Sequence, residues 1–327
     1  MSDTTGIPFP SITIIFLTYN GMPLVEVVLK AIRQQTYAGK YEILNIDSTS
    51  TDETFRVCKE YCDRQTQISP KEFHHARTRN FGVSMSTSDI CVFLSQDALP
   101  ADNNWLTRLI DPFLDFQVGA VYGRQEAPAS FGPQRQYSMS EVYPTTRQIR
   151  KFNPGEKRSL HDIRFSNANG AVRRELLVKF PFPEFVLLSE DVAACHQVLK
   201  DGHTVVYEPA SRVIHGHERS IKEEFGWAFD AGVSLKRLGI LGNPEFSSET
   251  SYGIRKMAGE MAYFAKRGAL GTTMLSAGVY IARWLGVQLG KRERLLPTTV
   301  LRMMSPTLSR AHRLEECVSP ASTLSPP

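Results

Sequence analysis

The sequence predicts an α/β fold, a mostly parallel sheet covered by helices on both faces, and three observations lead there. Short apolar runs of strand length alternate with segments whose apolar residues recur at helical spacing. The runs break off at polar turn signals. Two of them deliver an acid at the break, Asp47 and Asp97, and ligands of open α/β sheets bind outside those strand ends.

The elements follow in order. Ile12 to Leu17 is an isoleucine-rich strand that stops at Thr18-Tyr19-Asn20-Gly21, and Val25, Val28, Leu29 and Ile32 then mark one helix face. Tyr41 to Ile46 is the next strand. It ends at Asp47, and the hydroxyls and carboxylates from Ser48 to Thr54 are suited to cap another helix. Arg77 to Met85 leads into the buried run Ile90 to Leu94, which closes on Ser95, Gln96 and Asp97. A helix from Trp105 to Phe116 and a strand over Ala120 to Tyr122 complete the fourth cycle. Right-handed crossovers bring Asp47 and Asp97 to one crevice, where a nucleotide fits with its base near the first and its phosphates near the second. A carboxylate so placed can hold Mg²⁺ or Mn²⁺ against a diphosphate; taken alone, Asp97 reads more readily as a turn residue before Ala-Leu-Pro. No Gly-x-Gly-x-x-Gly follows the first strand and no Walker loop is present, which argues against dinucleotide cofactors and P-loop chemistry.

Composition sets outer bounds. With 327 residues, 42% hydrophobic and 22% charged, the chain is ordinary globular material, and a net charge of +4 does not point to nucleic acid. The charge is uneven: from Ser251 onward 11 Lys/Arg face 4 Asp/Glu, a net of +7, which leaves −3 for what precedes. Five cysteines without Cys-x-x-Cys spacing read as reduced thiols of a cytoplasmic protein, and the first residues show no signal peptide.

The second half is read more coarsely. Phe131 to Arg164 is polar and broken by Gly132-Pro133 and Asn153-Pro154-Gly155, so a mobile loop is expected there. Glu190 and Asp191 follow Ser189, a pattern that suits a capped helix start. Thr204 to Tyr207 is a strand, and beyond it His215 and His217 stand two apart, so both project to one side and suit a shared ligand. Ile221 to Gly239 is helical. Ala269 to Gly290 is long enough to cross a bilayer, but Arg283 and several glycines make it a poor span. Lys266-Arg267 and Lys291-Arg292-Glu293-Arg294 flank it, as in an interfacial helix on anionic lipid; a helix buried in an accessory bundle is the alternative. From Ser305 a disordered tail is expected.

Ile14-Ile15-Phe16-Leu17-Thr18-Tyr19-Asn20, Ile46-Asp47-Ser48-Thr49-Ser50-Thr51-Asp52-Glu53-Thr54, Thr78-Arg79-Asn80-Phe81-Gly82 and Phe93-Leu94-Ser95-Gln96-Asp97-Ala98 resemble, in order and spacing, the family 2 glycosyltransferases of the GT-A fold, and most of all their bacterial rhamnosyltransferase branch. The resemblance implies a Rossmann-like GT-A domain over 1–220, with a nucleotide-sugar half to about 125 and an acceptor half over 126–220. A helical, basic, membrane-surface segment over 221–304 and a tail over 305–327 would follow. Thr18, Tyr19 and Asn20 would flank the nucleoside, Asp47 and Ser48 the pyrimidine base, and Arg79, Gln96 and Asp97 the diphosphate. Asp97 would bind the metal, joined by His215 and His217, because Ser95 stands where an Asp-x-Asp motif has its first acid. Asn167, Asn169 and Trp105 would face the acceptor, and Asp191, beside Glu190, would be the base of an inverting transfer. The expected reaction moves L-rhamnose from a dTDP donor to a lipid-linked or cell-surface glycan, on the inner face of the cytoplasmic membrane. Another hexose donor, a nucleotidyltransferase and a non-catalytic glycan-binding protein are the alternatives.

Overall fold

The computed structural model describes residues 9–153, 155–247 and 249–310. Its first part follows the sequence closely. Strand β1 (Ile12–Thr18) is followed by helix α1 (Leu24–Arg33), and β2 (Tyr41–Asp47) by α2 (Thr54–Tyr61). The short β3 (Arg64–Gln67), α3 (His75–Met85), β4 (Ile90–Ser95) and the two-residue β5 (Leu99–Pro100) come next. Helix α1 buries the predicted Val25, Val28, Leu29 and Ile32. The expected helix from Trp105 to Phe116 is shorter: α4 (Trp105–Ile110) tightens into a 3-10 turn over Asp111–Leu114, with Pro112 where an α-helix would need its amide.

The second half holds more regular structure than its composition suggests. After β6 (Val118–Glu126), the stretch expected to be a mobile loop contains α5 (Pro133–Val142) and β7 (Gln148–Arg150). Pro133 at the first helical position, where its missing N–H costs nothing, turns the Gly-Pro break into a helix start. Then come β8 (Asn169–Arg173), α6 (Arg174–Lys179), α7 (Glu190–Lys200) and β9 (Thr204–Ile214).

The nine strands form one sheet in the order β3-β2-β1-β4-β8-β6-β9-β5, with β7 on β9. Strands β3, β2, β1 and β4 are parallel, so the ends of β1, β2 and β4 share an edge as predicted. The antiparallel β8 sits between β4 and β6. One apolar cluster lies under α1, α2 and α4, and a second under α3, α6 and α7, so both sheet faces are covered.

The extension is a helical bundle: α8 (Ile221–Arg237), α9 (Glu249–Ala265), α10 (Leu270–Gly290), α11 (Thr298–Met304) and α12 (Pro306–Arg310). No described helix is long and apolar enough to cross a membrane. One face of α10 packs on α8 through glycines. A Cβ on Gly286 would meet the Phe225 carbonyl oxygen at 2.5 Å, and one on Gly232 would meet the Val287 carbonyl oxygen at 2.8 Å. That face fits the bundle alternative, whereas Leu270, Met274, Ile281 and Trp284 of α10 remain exposed. The tail expected from residue 305 begins instead with α12, where Leu308 is buried and Thr307 donates to Asp230 of α8 from its hydroxyl (2.6 Å) and its amide (3.1 Å). The rest of that tail, 311–327, lies outside the described residues.

These contacts invert the usual helix rule. Gly286→Ala should lower the unfolding free energy by about 1–3 kcal/mol through overpacking. Gly259→Ala, on an open face of α9, should raise it by up to about 1 kcal/mol. Urea denaturation of both variants checks the pair, and a Gly286→Ala chain as stable as the parent would show that the helices do not touch so closely.

Candidate active site

Asp97 lies just beyond β4, and a short antiparallel pairing decides what it meets. Strand β5 pairs Leu99 with Ile214 and Pro100 with Val213. Continued past Leu99, this register sets Asp97 opposite Gly216, between the two histidines. Accordingly Asp97 Oδ1 lies 3.3 Å from His215 Nε2, and Oδ2 lies 3.8 Å from His217 Nε2. The three groups put a ligand atom each within 4.8 Å of one another. Behind them, Gln125 donates to Ser166 Oγ (2.8 Å), which turns its carbonyl toward His215 Nδ1 (2.8 Å). In that assignment Nδ1 carries the proton, and the Nε2 lone pair points at the Asp97 carboxylate. Two acceptors facing each other are suited to a shared cation, so the donor set fits a divalent metal. Burial acts to raise Asp97, but when the two imidazoles are protonated the hydrogen bond and charge of His215, with the charge of His217, outweigh it and hold the carboxyl below its ordinary range. Burial and then the neighbouring His215 lower His217.

A cavity of about 500 Å³ opens beside the histidines. Glu190 and Asp191, in the first turn of α7, reach it. Ser189 does not cap this helix with its side chain as its composition suggests. It takes a left-handed conformation (φ 66°, ψ 23°), unusual for a residue with a Cβ, and that bend sets the acids at the cavity wall. Arg79 of α3 pairs with Glu190, and both side chains are largely buried. Burial pushes Glu190 up, yet the Arg79 guanidinium prevails and holds it below the usual range. Among the described residues no salt bridge reaches Asp191, and the charge of Arg79 offsets its shift only in part. Burial, and then the charge of Glu190, push it up to about 7. It accepts from the amides of Val192 (2.8 Å) and Asn167 (3.3 Å). The buried side chain of Asn167 lines the same cavity with both amide atoms unpartnered, an arrangement that calls for a ligand or water.

The residues expected around a nucleoside form a separate network. Gln96 accepts from the Tyr19 amide (2.9 Å) and donates to its carbonyl (3.1 Å), which ties the loop after β1 to the end of β4. Asn20 (φ 44°) accepts from the amide of Thr51 (2.8 Å), and its own amide donates to Ser50 Oγ (2.9 Å). Asp47, expected at a base, is fully buried and accepts from Thr18 Oγ1, the amide and hydroxyl of Ser50, and Gln67 Nε2. These bonds organise the loops around it. Tyr19 is half exposed, and the buried Ser48 hydroxyl has no partner.

Trp105 and Asn169, expected at the acceptor, are likewise turned inward. The indole N–H donates to Asn169 Oδ1 (2.8 Å), Asn169 Nδ2 donates to the Ser211 carbonyl (3.1 Å), and Ser211 Oγ donates to the Trp105 carbonyl (3.1 Å). All three residues are fully buried, so this ring fastens α4, β8 and β9 together behind the site.

Some of the cavity wall was not singled out from sequence. Glu224 of α8 is buried and bound by Arg283 of α10 (2.8 Å) and Arg135 of α5 (3.5 Å), and Arg219 lies over the Trp227 ring (5.4 Å). The signal for one of them was present: Arg283 interrupts an apolar helix.

The sequence profile of Glycosyl transferase family 2 matches residues 13–179. The chain is 30% identical over 303 residues to the O-antigen chain rhamnosyltransferase WbaN of Salmonella anatum, which covers 90% of this chain and 94% of that protein. It is 30% identical over 298 residues to RfbN of Salmonella typhimurium, likewise an O-antigen chain rhamnosyltransferase, with the same two coverages. Among solved structures, a mannosyltransferase from Pyrobaculum calidifontis in complex with GDP-Man and Mn²⁺ superposes with a TM-score of 0.54 at 20% identity, over 92% of this chain and 86% of that one.

The raised Asp191 gives a stability test independent of any reaction. In the unfolded chain it titrates near 3.9 and in the folded chain near 7, so the protonated form favours folding. Its contribution is full below about pH 4 and is lost as pH rises toward 7. Asp191→Asn should therefore raise the melting temperature at pH 8 and leave it nearly unchanged at pH 4; an unchanged value at pH 8 would place Asp191 in an ordinary solvated setting.

Proposed function

The chain belongs to glycosyl transferase family 2 and is a glycosyltransferase, and on that premise we propose that it transfers L-rhamnose from dTDP-rhamnose, with inversion, to a hydroxyl of a lipid-linked glycan. The observation that carries this reading is the pairing of Asp191, raised and unpaired, with Glu190, lowered and held by Arg79, at one cavity wall. A base poised near 7 takes a proton efficiently at neutral pH. In the proposed step the acceptor oxygen attacks the anomeric carbon as Asp191 removes its proton. The new carbon–oxygen bond forms while the bond to the nucleoside diphosphate breaks on the opposite face. Asn167, with donor and acceptor unpartnered, would orient the acceptor hydroxyls. Asp97, His215 and His217 would hold the divalent ion, which when bound offsets charge on the departing diphosphate. Two imidazoles beside one carboxylate favour Mn²⁺ over the harder Mg²⁺. Tyr19 and the Ser48 hydroxyl would meet the nucleoside, with Asp47 and Gln96 holding their loops. The exposed residues Leu270 and Met274 near the start of α10, close to Lys266 and Arg267, favour peripheral contact with an anionic membrane surface.

Three outcomes are expected. Asp191→Asn should keep dTDP binding and lose turnover by about 10³-fold or more, and the parent's turnover should rise with pH through about 7, since the base works deprotonated. Normal turnover in the variant would remove Asp191 as base. Mn²⁺ should raise the melting temperature of the parent but not of Asp97→Ala, and His217→Ala should weaken Mn²⁺ binding by about tenfold or more. Equal stabilisation of parent and Asp97→Ala would place the ion elsewhere. Asn167→Ala should raise the acceptor KM with no loss of melting temperature, because no protein hydrogen bond is removed; a large stability loss would make Asn167 structural.

A further inference from the structure

Arg283 lines two concavities at once. On one side it faces the catalytic cavity, where it pairs with Glu224. On the other it borders a groove of about 460 Å³ between α9 and α10, walled by Ile254, Met257, Tyr280, Ile281, Trp284 and Val287. The groove is almost wholly apolar, and its size is that of a small-molecule site. Ile254, Ile281 and Trp284 stand about half exposed in it.

The cavity end is cationic. Arg135 and Arg283 pair with the one buried carboxylate, Glu224, and Arg219 adds a third guanidinium that otherwise meets only the exposed Glu223, so positive charge is in excess in a partly buried setting. Arg135 Nε is buried without a partner, and Arg219 is held over Trp227 rather than by an acid. Burial lowers both guanidinium groups, as expected where positive charge is crowded away from water. A diphosphate diester carries two negative charges, and guanidinium groups bind phosphate oxygens in pairs. Arg219, Glu224, Trp227 and Arg283 all lie beyond residue 179, where the match to the family profile ends.

We propose that the arginine cluster on Glu224 and the groove between α9 and α10 form one continuous subsite for a diphosphate-headed lipid, the carrier of the acceptor glycan. The inference rests on the lipid-linked acceptor of the proposed function and assigns that acceptor its place. The head group binds at Arg135, Arg219 and Arg283, and the hydrocarbon chain follows α10 outward past Ile281 and Trp284. The sugar next to the head group then lies in the cavity shared with Asn167 and Asp191. A flat bilayer would meet the convex apolar residues of α10; the concave groove ending on a guanidinium fits a single chain with an anionic head.

The test uses the full-length protein and four probes: farnesyl diphosphate, farnesol, inorganic diphosphate and phosphatidylglycerol vesicles, in metal-free buffer. Farnesyl diphosphate should bind about tenfold tighter, or more, than farnesol or inorganic diphosphate. Ile281→Glu and Trp284→Glu should each weaken it by about tenfold or more while sparing inorganic diphosphate, and Arg219→Ala should weaken both diphosphates but not farnesol. Farnesyl diphosphate binding no tighter than inorganic diphosphate would overturn the proposal. So would groove variants that lose vesicle binding yet keep farnesyl diphosphate, since the surface would then be a bilayer contact. Mn²⁺-dependent dTDP binding, measured on the same preparations, should survive in the two groove variants. Its absence in the parent would count against the donor reading without touching the lipid result.

Discussion

Two paired residues fix the chemistry of this fold. Strand β5 is only Leu99 and Pro100, yet its register against β9 is what turns the end of β4 back toward His215 and His217. An antiparallel pair has no freedom to slip by one position without reversing which side chains face inward, so the Asp97 environment is determined by geometry several residues away. The ring of Trp105, Asn169 and Ser211 supports that pairing from beneath, because Ser211 is part of β9 and Trp105 begins the helix that follows β5. Residues that look like ligand contacts are in this sense the frame on which the contacts are hung.

Charge is divided just as strictly. Glu190 and Asp191 are neighbours with the same functional group and similar burial, but only one has a guanidinium beside it. The result is one permanent anion and one group near neutrality, the separation that acid–base work requires. A short left-handed kink at Ser189 makes this possible by presenting both acids at the opening turn of α7. The folded chain thus holds an anion and a second carboxyl that resists ionisation side by side in a poor dielectric, and most of the stabilising contacts lie elsewhere, in the two apolar layers over the sheet.

Much of this was readable in the sequence, and the gaps have physical causes. The strands through Ile12, Tyr41 and Ile90 are largely buried and announce themselves as apolar runs; strand ends and spacing showed Asp97 and the histidine pair separately, and the family resemblance joined them. Strand β3 reads Arg-Gln-Thr-Gln because it borders the sheet and buries little, and β8 begins with Asn-Gly, ordinarily turn chemistry. Neither carries a periodic pattern. Asp47 was placed toward a ligand because it ends a strand, and Trp105 and Asn169 because the family resemblance implies it. Only the folded structure reveals that Asp47 is spent on Thr18, Ser50 and Gln67, and Trp105 and Asn169 on each other and on backbone. The arginine cluster was hidden for a different reason: its members are spread from residue 135 to residue 283 and meet only through tertiary packing.

The glycine contact between α8 and α10 divides one helix into two regimes of sequence. On the inner side, a single methyl group at Gly286 would strike main-chain oxygen, so variation there is closed off. On the outer side, Ile281 and Trp284 line the groove and Leu285 is partly exposed, so a change there alters what the helix meets without disturbing its packing on α8. Arg283 stands between the two, anchored inward on Glu224. Divergence of what this helix meets can therefore proceed along its outer stripe while the wall of the cavity stays in place, so that innovation at the surface and conservation at the centre share the same twenty-one residues.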